Sequence, residues 1–415
     1  MTIFAYNYFV MSAFVLALAI CLLSFVTAQL AYPFVLGFAR KHNIVDCPNF
    51  RKLQKTPVAV MGGVAVYIGI LISLVLLGII TDSRIVWVSI AILSVLLMVG
   101  LWDDIRDISV TVRFLTEFLA VWSLFYFGHC GITSMHGLWN REFFNPMFAI
   151  PFSLFAGVGI INAINMIDGI DGYCSGFSIF SSSLFAALFF YVDDVTMGCV
   201  ALSVAGAMLP FFLHNVFGQN SKMFLGDAGT LMIGSLITLF VFHALAYESS
   251  CSFLSDDNVC IVAFVSAICS IPVCDTLRVM TLRVKNGESP FHADRNHMHH
   301  LFLEMNFSHI GTTVTLLTLD FLVVMAWFVS FILGASLEIQ MYVVIFLGFG
   351  FTFGLYQWLR FEQKKGENSR LYRFICRMGM KTRREDDLGW KLVQKAVDSR
   401  ALGGKKHSTS IDAES

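Results

Sequence analysis

The stretch from residue 59 to residue 80, AVMGGVAVYIGILISLVLLGII, contains no charged side chain. About 20 such residues in a helix cross a hydrocarbon core roughly 30 Å thick, so this stretch predicts a membrane-spanning helix. Other runs of similar length and character bring the expected number of spans to about eleven. The runs lie near residues 9–38, 59–80, 85–101, 114–128, 147–165, 174–192, 196–214, 230–247, 259–274, 312–335 and 340–359. The sequence therefore predicts an all-α integral membrane protein.

The composition of the 415 residues agrees with this class. Apolar residues make up 57% of the chain and charged residues only 14%, against roughly a quarter charged in soluble proteins. A soluble enzyme and a disordered protein are both excluded. The 28 basic and 29 acidic residues nearly cancel, so no nucleic-acid partner is expected. Residues 1–39 carry no charge, which favours a retained first helix over a cleaved signal peptide.

The basic residues are distributed unevenly between the two predicted faces. All Lys and Arg residues except Arg84 and Arg141 lie in odd-numbered connections or in the tail that follows the last run. The positive-inside rule therefore places these connections and the C-terminus in the cytoplasm and the N-terminus in the periplasm. We expect a membrane domain with catalytic loops over residues 1–359 and a basic cytoplasmic tail over residues 360–415. The Arg-rich stretch 370–384 is expected to attract anionic membrane lipid.

Four connections on the predicted cytoplasmic face carry compact clusters of Asp, Asn, Gly or His. Adjacent carboxylates such as Asp103 and Asp104 repel each other, and a cation or a shared proton must offset that repulsion where the dielectric is low. Oxygen ligands suit Mg²⁺, which takes one or two carboxylates together with substrate phosphates. The clusters therefore indicate phosphoryl chemistry. They read Asp103-Asp104-Ile105-Arg106-Asp107, Asn162-Ala-Ile-Asn165-Met-Ile-Asp168-Gly169-Ile170-Asp171-Gly172, Phe224-Leu-Gly226-Asp227-Ala-Gly229 and Asp294-Arg295-Asn296-His297-Met298-His299-His300.

Other patterns argue against competing chemistries. A zinc site at His297 and His300 lacks supporting Cys residues or an HExxH pattern. The chain also has no GxxxxGK[ST] or GxGxxG loop and no Asp-x-Asp pair, so any nucleotide must bind to the loops of the membrane domain. At the cytoplasmic end of the run over residues 114–128, Glu117 lies four residues after Arg113, the spacing of a helix-surface ion pair. Asp320 is an intramembrane acid without an obvious partner and hence a functional candidate.

The clusters, in this order, resemble the motifs of the polyprenyl-phosphate N-acetylhexosamine-1-phosphate transferases. The match also includes Val45-Asp46-Cys47-Pro48-Asn49-Phe50-Arg51-Lys52 and Gly62-Gly63. Met298 interrupts the histidine run and Leu301 follows it, which argues against the muramoyl-pentapeptide branch of the family. One departure is Gln54, because the family has a histidine at that position.

The resemblance implies a reaction at the cytoplasmic surface of a bacterial inner membrane. Undecaprenyl phosphate attacks the diphosphate of UDP-N-acetylglucosamine and UMP leaves, which starts a lipid-linked O-antigen or enterobacterial common antigen chain. The implied cofactor is Mg²⁺, with Mn²⁺ as an alternative. Two other readings stay open: the same reaction with another UDP-N-acetylhexosamine, and a transporter of lipid-linked sugars. The sequence also leaves open whether the chain forms homo-oligomers.

The resemblance also assigns residues to roles. Asp227 is the first expected Mg²⁺ ligand, with Asn165 and Asp168 completing the metal and diphosphate contacts. Asp103 and Asp104 receive the lipid phosphate, either as a base or through the metal. Gly169, Ile170 and Asp171 hold the uridine. The residues expected to face the diphosphate and sugar are Arg113, Arg295, His297, His299 and His300.

Overall fold

A computed structural model describes residues 3–46, 57–106, 108–290, 295–382 and 387–401, and the described chain is almost entirely helical. A π-helical turn (Gly350–Leu355) joins α13 to α14. The helices are α1 (Ile3–Lys41), α2 (Gly62–Thr81), α3 (Arg84–Arg106), α4 (Val110–Tyr126), α5 (Pro146–Met166), α6 (Tyr173–Tyr191), α7 (Val195–Phe217), α8 (Gly226–Ala244), α9 (Ile261–Ile268), α10 (Ser270–Lys285), α11 (Met298–Glu304), α12 (His309–Ile332), α13 (Leu337–Phe349), α14 (Tyr356–Lys365), α15 (Arg370–Lys381) and α16 (Leu388–Ala401).

The predicted class is confirmed: the protein is an all-α, multi-pass membrane protein. Within the described ranges, nine helical segments are long and apolar enough to cross a membrane, and the bent pair α9–α10 would make a tenth. Helix α4 coincides with a further predicted run but has only 17 residues, about 26 Å at 1.5 Å per residue. A helix thus lies in each of the eleven predicted runs, while the number of spans and the orientation of the termini remain predictions.

Helix α8 lies at the centre of the bundle, where nearly all of its residues are buried. Glycines on two neighbouring helices allow this close packing. A Cβ atom at Gly63 of α2 would lie 2.5 Å from the Cα atom of Gly229, and one at Gly100 of α3 would lie 2.5 Å from the backbone nitrogen of Ala228. Any larger side chain at these positions would push the start of α8 away from α2 and α3.

A small sheet fixes the segment that leads into α8. Its strands are β1 (Val45–Asp46), β2 (Val58–Val60) and β3 (Met223–Phe224). Strand β2 pairs antiparallel with β1 and parallel with β3, which leads directly into α8. The first residues of α8 are therefore fixed by both helix packing and strand pairing.

The break between α9 and α10 explains the buried acid Asp320. The two helices meet at 69°, and Pro272, which has no N–H, lies in the first turn of α10. The Asp320 carboxylate, fully buried on α12, accepts a hydrogen bond from the backbone N–H of Ile271 at 3.2 Å. Asp320 therefore caps the start of α10. This structural role explains an acid that was a functional candidate from sequence alone.

Candidate active site

The site is built around the start of α8, which has no side-chain cap of its own. The carboxylate of Asp104, at the end of α3, supplies the cap by accepting hydrogen bonds from the backbone N–H groups of Asp227 at 2.8 Å and Ala228 at 3.2 Å. Gly226 has a φ of 76°, and a Cβ atom there would lie 2.5 Å from Asp104 Oδ2. This turn requires glycine, and it brings the third and seventh connections together.

Arg113, at the start of α4, contacts the acids and amides that surround it. Its Nε donates to Glu117 Oε1 at 3.1 Å and its Nη2 donates to Asn165 Oδ1 at 2.9 Å. Its Nη1 lies 3.8 Å from both Asp103 Oδ2 and Asp227 Oδ1. The predicted pair with Glu117 is present, but the prediction of a helix-surface pair is wrong, since the Glu117 side chain is completely buried. Glu117 instead anchors Arg113 beside the carboxylates.

Asn165, near the end of α5, orients the side chain of Asp227. Its Nδ2 donates to Asp227 Oδ1 at 2.5 Å and to Thr230 Oγ1 at 2.7 Å, while its Oδ1 accepts from Arg113. Both polar atoms of the Asn165 amide are therefore engaged. Asp227 keeps about a third of its side chain exposed, so it can meet a ligand.

Asp168 lies in the loop that follows α5, next to the exposed Gly169. Burial, followed by the negative charges of Asp227, Asp171 and Asp104, raises the pKa of Asp168 well above its ordinary value. No side chain or N–H group among the described residues donates a hydrogen bond to this carboxylate. A cation bound here would remove the repulsion and keep Asp168 ionised.

Asp171, four residues after the loop begins, has two side-chain partners that the sequence did not identify. Lys222 Nζ lies 2.6 Å and His309 Nδ1 2.9 Å from Asp171 Oδ2. Burial alone would raise the pKa of Asp171, but the hydrogen bond from His309 and the Lys222 charge outweigh it and lower the pKa. Lys222 is the one Lys or Arg between residues 215 and 229, which was an available signal. His309 offered none.

The histidine segment before and within α11 is held by a buried acid that sequence reasoning also missed. Asp275 of α10 accepts hydrogen bonds from His297 Nδ1 at 3.0 Å and from the backbone N–H of Met298 at 3.2 Å. Arg278 donates to the same carboxylate at 2.6 Å and stacks its guanidinium 3.6 Å above the Tyr356 ring. The spacing of Asp275 and Arg278, three residues apart on one helix face, indicated an ion pair. Nothing in the sequence linked that pair to His297.

His299 connects the histidine segment to the loop of Asp168. Its ring stacks on that of His297 with centroids 5.6 Å apart, and a Cβ atom at Gly169 would lie 2.6 Å from His299 Nε2. Burial and then the neighbouring His300 and His297 lower the pKa of His299 well below its ordinary value. His299 is therefore a neutral imidazole at pH 7.

The remaining predicted residues occupy less defined positions. Ile170 is buried within the loop, His300 is half-buried beside His299, and Arg295 is exposed at the start of the histidine segment. Asp107, Asp294 and residues 47–56, which include Arg51, Lys52 and Gln54, lie outside the described residues. In the part of the chain that the structure describes, no three His, Cys, Asp or Glu side chains form a metal-binding group.

Comparison with known proteins covers the region that builds this site. The family model described as glycosyl transferase family 4 matches residues 85–244, from the start of α3 to the end of α8. Undecaprenyl-phosphate alpha-N-acetylglucosaminyl 1-phosphate transferase of Escherichia coli (strain K12) is 28% identical over 279 residues, covering 65% of this chain and 72% of that protein. Over the residues that build the site, the chain is therefore similar to glycosyl transferase family 4.

Relatives outside the enterobacteria give the same result. A probable undecaprenyl-phosphate N-acetylglucosaminyl 1-phosphate transferase of Bacillus subtilis (strain 168) is 26% identical over 301 residues, covering 72% of this chain and 81% of that protein. The expected resemblance is thereby confirmed, and the protein is a membrane transferase. The family match includes Asp103, Asp104, Asn165 and Asp227, which the structure brings together at one end of the bundle.

Proposed function

We propose that the protein transfers N-acetylglucosamine 1-phosphate from UDP-N-acetylglucosamine to undecaprenyl phosphate. An oxygen of the lipid phosphate forms a bond to the sugar-bearing phosphorus of the donor, and the bond from that phosphorus to UMP breaks. The products are undecaprenyl diphospho-N-acetylglucosamine and UMP. The names of the relatives support this reaction, and the product would start a lipid-linked O-antigen or enterobacterial common antigen chain in a bacterial inner membrane.

The observation that carries the proposal is the convergence of four carboxylates near the start of α8, those of Asp103, Asp104, Asp168 and Asp227. Arg113 lies 3.8 Å from two of these carboxylates, those of Asp103 and Asp227. This excess of negative charge, with Asp168 lacking a hydrogen-bond donor, suits a divalent cation that arrives with a polyanionic substrate.

Asp227 and Asp168 fit Mg²⁺, or Mn²⁺, because both offer carboxylate oxygens and Asp227 is partly exposed. Asn165 is the less suitable third ligand, since its amide oxygen already accepts a hydrogen bond from Arg113. When bound, the cation supplies charge neutralisation for the diphosphate oxygens. The substrate phosphates would supply the further ligands that such a cation needs.

The chain's own groups position the reactants and neutralise charge. A lipid phosphate is already anionic at neutral pH, so it needs little deprotonation. Nη1 of Arg113 faces two carboxylates at 3.8 Å, beyond hydrogen-bond distance, and we assign to it the contact with a phosphate oxygen. Asp104, whose two oxygens cap α8, positions Asp227. Asp103 lies beside Arg113 and remains the candidate to meet the lipid phosphate.

The uridine and the sugar would bind on the side of Asp171 and the histidines. Lys222 and His309 both contact Oδ2 of Asp171, so Oδ1 is the oxygen that we assign to the uridine. Gly169 exposes its backbone, and His299, which is neutral, is a hydrogen-bonding group for the sugar rather than a fixed cation. His297, His300 and Arg295 would complete the contacts with the diphosphate and sugar.

A transporter of lipid-linked sugars is less well supported. Such a protein would require polar groups at mid-depth in the bundle, and Asp320, the buried acid expected to serve there, caps α10.

The test is product formation by the purified chain with undecaprenyl phosphate and one donor at a time. We expect UDP-N-acetylglucosamine to yield a lipid-linked product, identified by mass spectrometry, only with Mg²⁺ or Mn²⁺, and EDTA to stop the reaction. Product from UDP-N-acetylgalactosamine instead would keep the reaction and change the sugar. A folded protein that makes no lipid-linked product from either donor would contradict the proposal.

A further inference from the structure

Asp171 is held in place by two residues from distant parts of the chain. Lys222 lies directly before β3 and contacts Asp171 Oδ2 at 2.6 Å, and His309, the first residue of α12, contacts the same oxygen at 2.9 Å. The hydroxyl of Thr313 also donates to the Asp171 carbonyl at 2.8 Å. The position of Asp171 therefore depends on the segments that carry Lys222 and His309.

The segment before Lys222 is bound by the C-terminal helix α16. Asp398 accepts hydrogen bonds from the three backbone N–H groups of residues 219–221, at 3.0 to 3.2 Å, and from the hydroxyl of Ser221 at 2.7 Å. Trp390 of the same helix packs on Phe217 with ring centroids 4.8 Å apart. Hydrogen bonds of this kind, from neutral donors to an ionised carboxylate, are the stronger class. One carboxylate thus satisfies four donors of a single turn.

The segment before His309 is bound by the end of α15. The backbone N–H of Ser308 donates to Thr382 Oγ1 at 2.9 Å, and the Ser308 hydroxyl donates to the Thr382 carbonyl at 3.0 Å. Two close approaches require glycine here: a Cβ atom at Gly311 would lie 2.5 Å from Thr382 Cβ, and one at Gly379 would lie 2.6 Å from the Met305 carbonyl oxygen. The contact is therefore tightly packed as well as hydrogen-bonded.

We propose that α15 and α16 form a clamp on the nucleotide side of the active site. Thr382 and Asp398 are positioning residues: they fix the segments of His309 and Lys222, and through these the carboxylate of Asp171, for binding the uridine diphosphate of the donor. The inference rests on the proposed function in one respect, because its kinetic test measures binding of the proposed donor, UDP-N-acetylglucosamine. The part of the chain that sequence alone presented as a basic tail thereby contributes to substrate recognition.

The first test compares Asp398→Asn with Asp387→Asn in the full chain. Asp387 is an exposed acid just before α16, so its substitution makes the same change of charge without touching the turn. Hydrogen exchange of the amides of residues 219–221 should become about tenfold faster in Asp398→Asn, since a hydrogen bond to a charged group is weakened. It should not change in Asp387→Asn. Equal exchange in the two variants would overturn the clamp.

The kinetic test separates donor binding from turnover. In Asp398→Asn we expect the KM for UDP-N-acetylglucosamine to rise by about three- to tenfold with kcat changed less than about twofold, because binding and not the reacting groups is affected. An unchanged KM, together with faster exchange, would overturn the link to Asp171. A wild-type protein that releases no UMP would refute the proposed function, while the exchange result would still decide whether the clamp exists.

A second pair of variants examines the other half of the clamp. Thr382→Val removes the hydroxyl that meets Ser308 and keeps the shape of the side chain, whereas Thr382→Ser keeps the hydroxyl. We expect faster amide exchange at residues 308–311 and a raised donor KM in Thr382→Val only. The same behaviour in both variants would show that the hydroxyl contact does not hold His309, and that half of the inference would fall.

Discussion

Substitution of Gly100 by alanine should misplace Asp227 without unfolding the protein. The added Cβ atom would lie 2.5 Å from the Ala228 nitrogen and 2.7 Å from the Asp227 carbonyl carbon, about 1 Å closer than ordinary contact. Relief requires α3 and α8 to separate by roughly that amount, and overpacking of this kind costs about 1–3 kcal/mol. The Asp104–Asp227 hydrogen bond, now 2.8 Å, would lengthen beyond hydrogen-bond distance. Misplacement by 1 Å at a reacting centre lowers rates about 10²-fold.

Gly159 on α5 provides the matched control, because a Cβ atom there would meet no atom within 4 Å. Gly159→Ala should keep wild-type turnover and gain up to about 1 kcal/mol of stability from helix propensity. Both variants are to be purified in the same detergent, and thermal unfolding is to be measured beside the initial rate of UMP release. A Gly100→Ala protein with near-normal kcat would refute the argument that this packing sets the position of Asp227.

Three further predictions concern the site and its supports. Asp227→Asn should lower the rate of lipid-linked product formation by about 10²-fold or more with the protein still folded. Asp256 lies in an exposed turn away from the site, so Asp256→Asn should react at a near-normal rate. Equal losses of rate in the two variants would contradict the site assignment. Asp275→Asn should destabilise the protein by about 3 kcal/mol, because it removes one partner of a buried ion pair, and release His297; unchanged thermal unfolding and an unchanged donor KM would contradict this. The pKa of His299 is lowered in the folded protein. As the pH falls below about 6.5, the unfolded chain therefore takes up a proton that the folded chain does not. We expect the melting temperature to fall between pH 7 and pH 5, and to fall less steeply in His299→Gln.

The sequence predicted the helices well because each is a long apolar run bounded by polar residues. It also indicated which side chains would meet, since the acidic clusters follow helix ends that the charge distribution places on one face. The structure does bring Asp104, Asn165 and Asp227 into contact. The distances among them depend on close packing at glycines of α2, α3 and α8. No local sequence pattern predicts which of these helices pack against each other.

Supporting contacts between distant segments were beyond the sequence. Asp275 directly follows the apolar run over residues 259–274, and only the fold brings its carboxylate to His297. Asp320 was a functional candidate because burying an acid in a membrane is costly. Pro272, in the run over residues 259–274, did indicate a helix break, and Asp320 caps the helix that follows that break. The contact of Asp398 with residues 219–221 joins positions nearly 180 residues apart, which no spacing rule relates.

The identity of the nucleotide released from the donor tests the central claim most directly. With undecaprenyl phosphate, UDP-N-acetylglucosamine and Mg²⁺, transfer of the sugar phosphate must release UMP in equal amount to the lipid-linked product. The proposed function predicts UMP, and none from Asp227→Asn. Release of UDP would mean that the sugar alone is transferred and would contradict the proposed reaction, and so would lipid-linked product without any nucleotide.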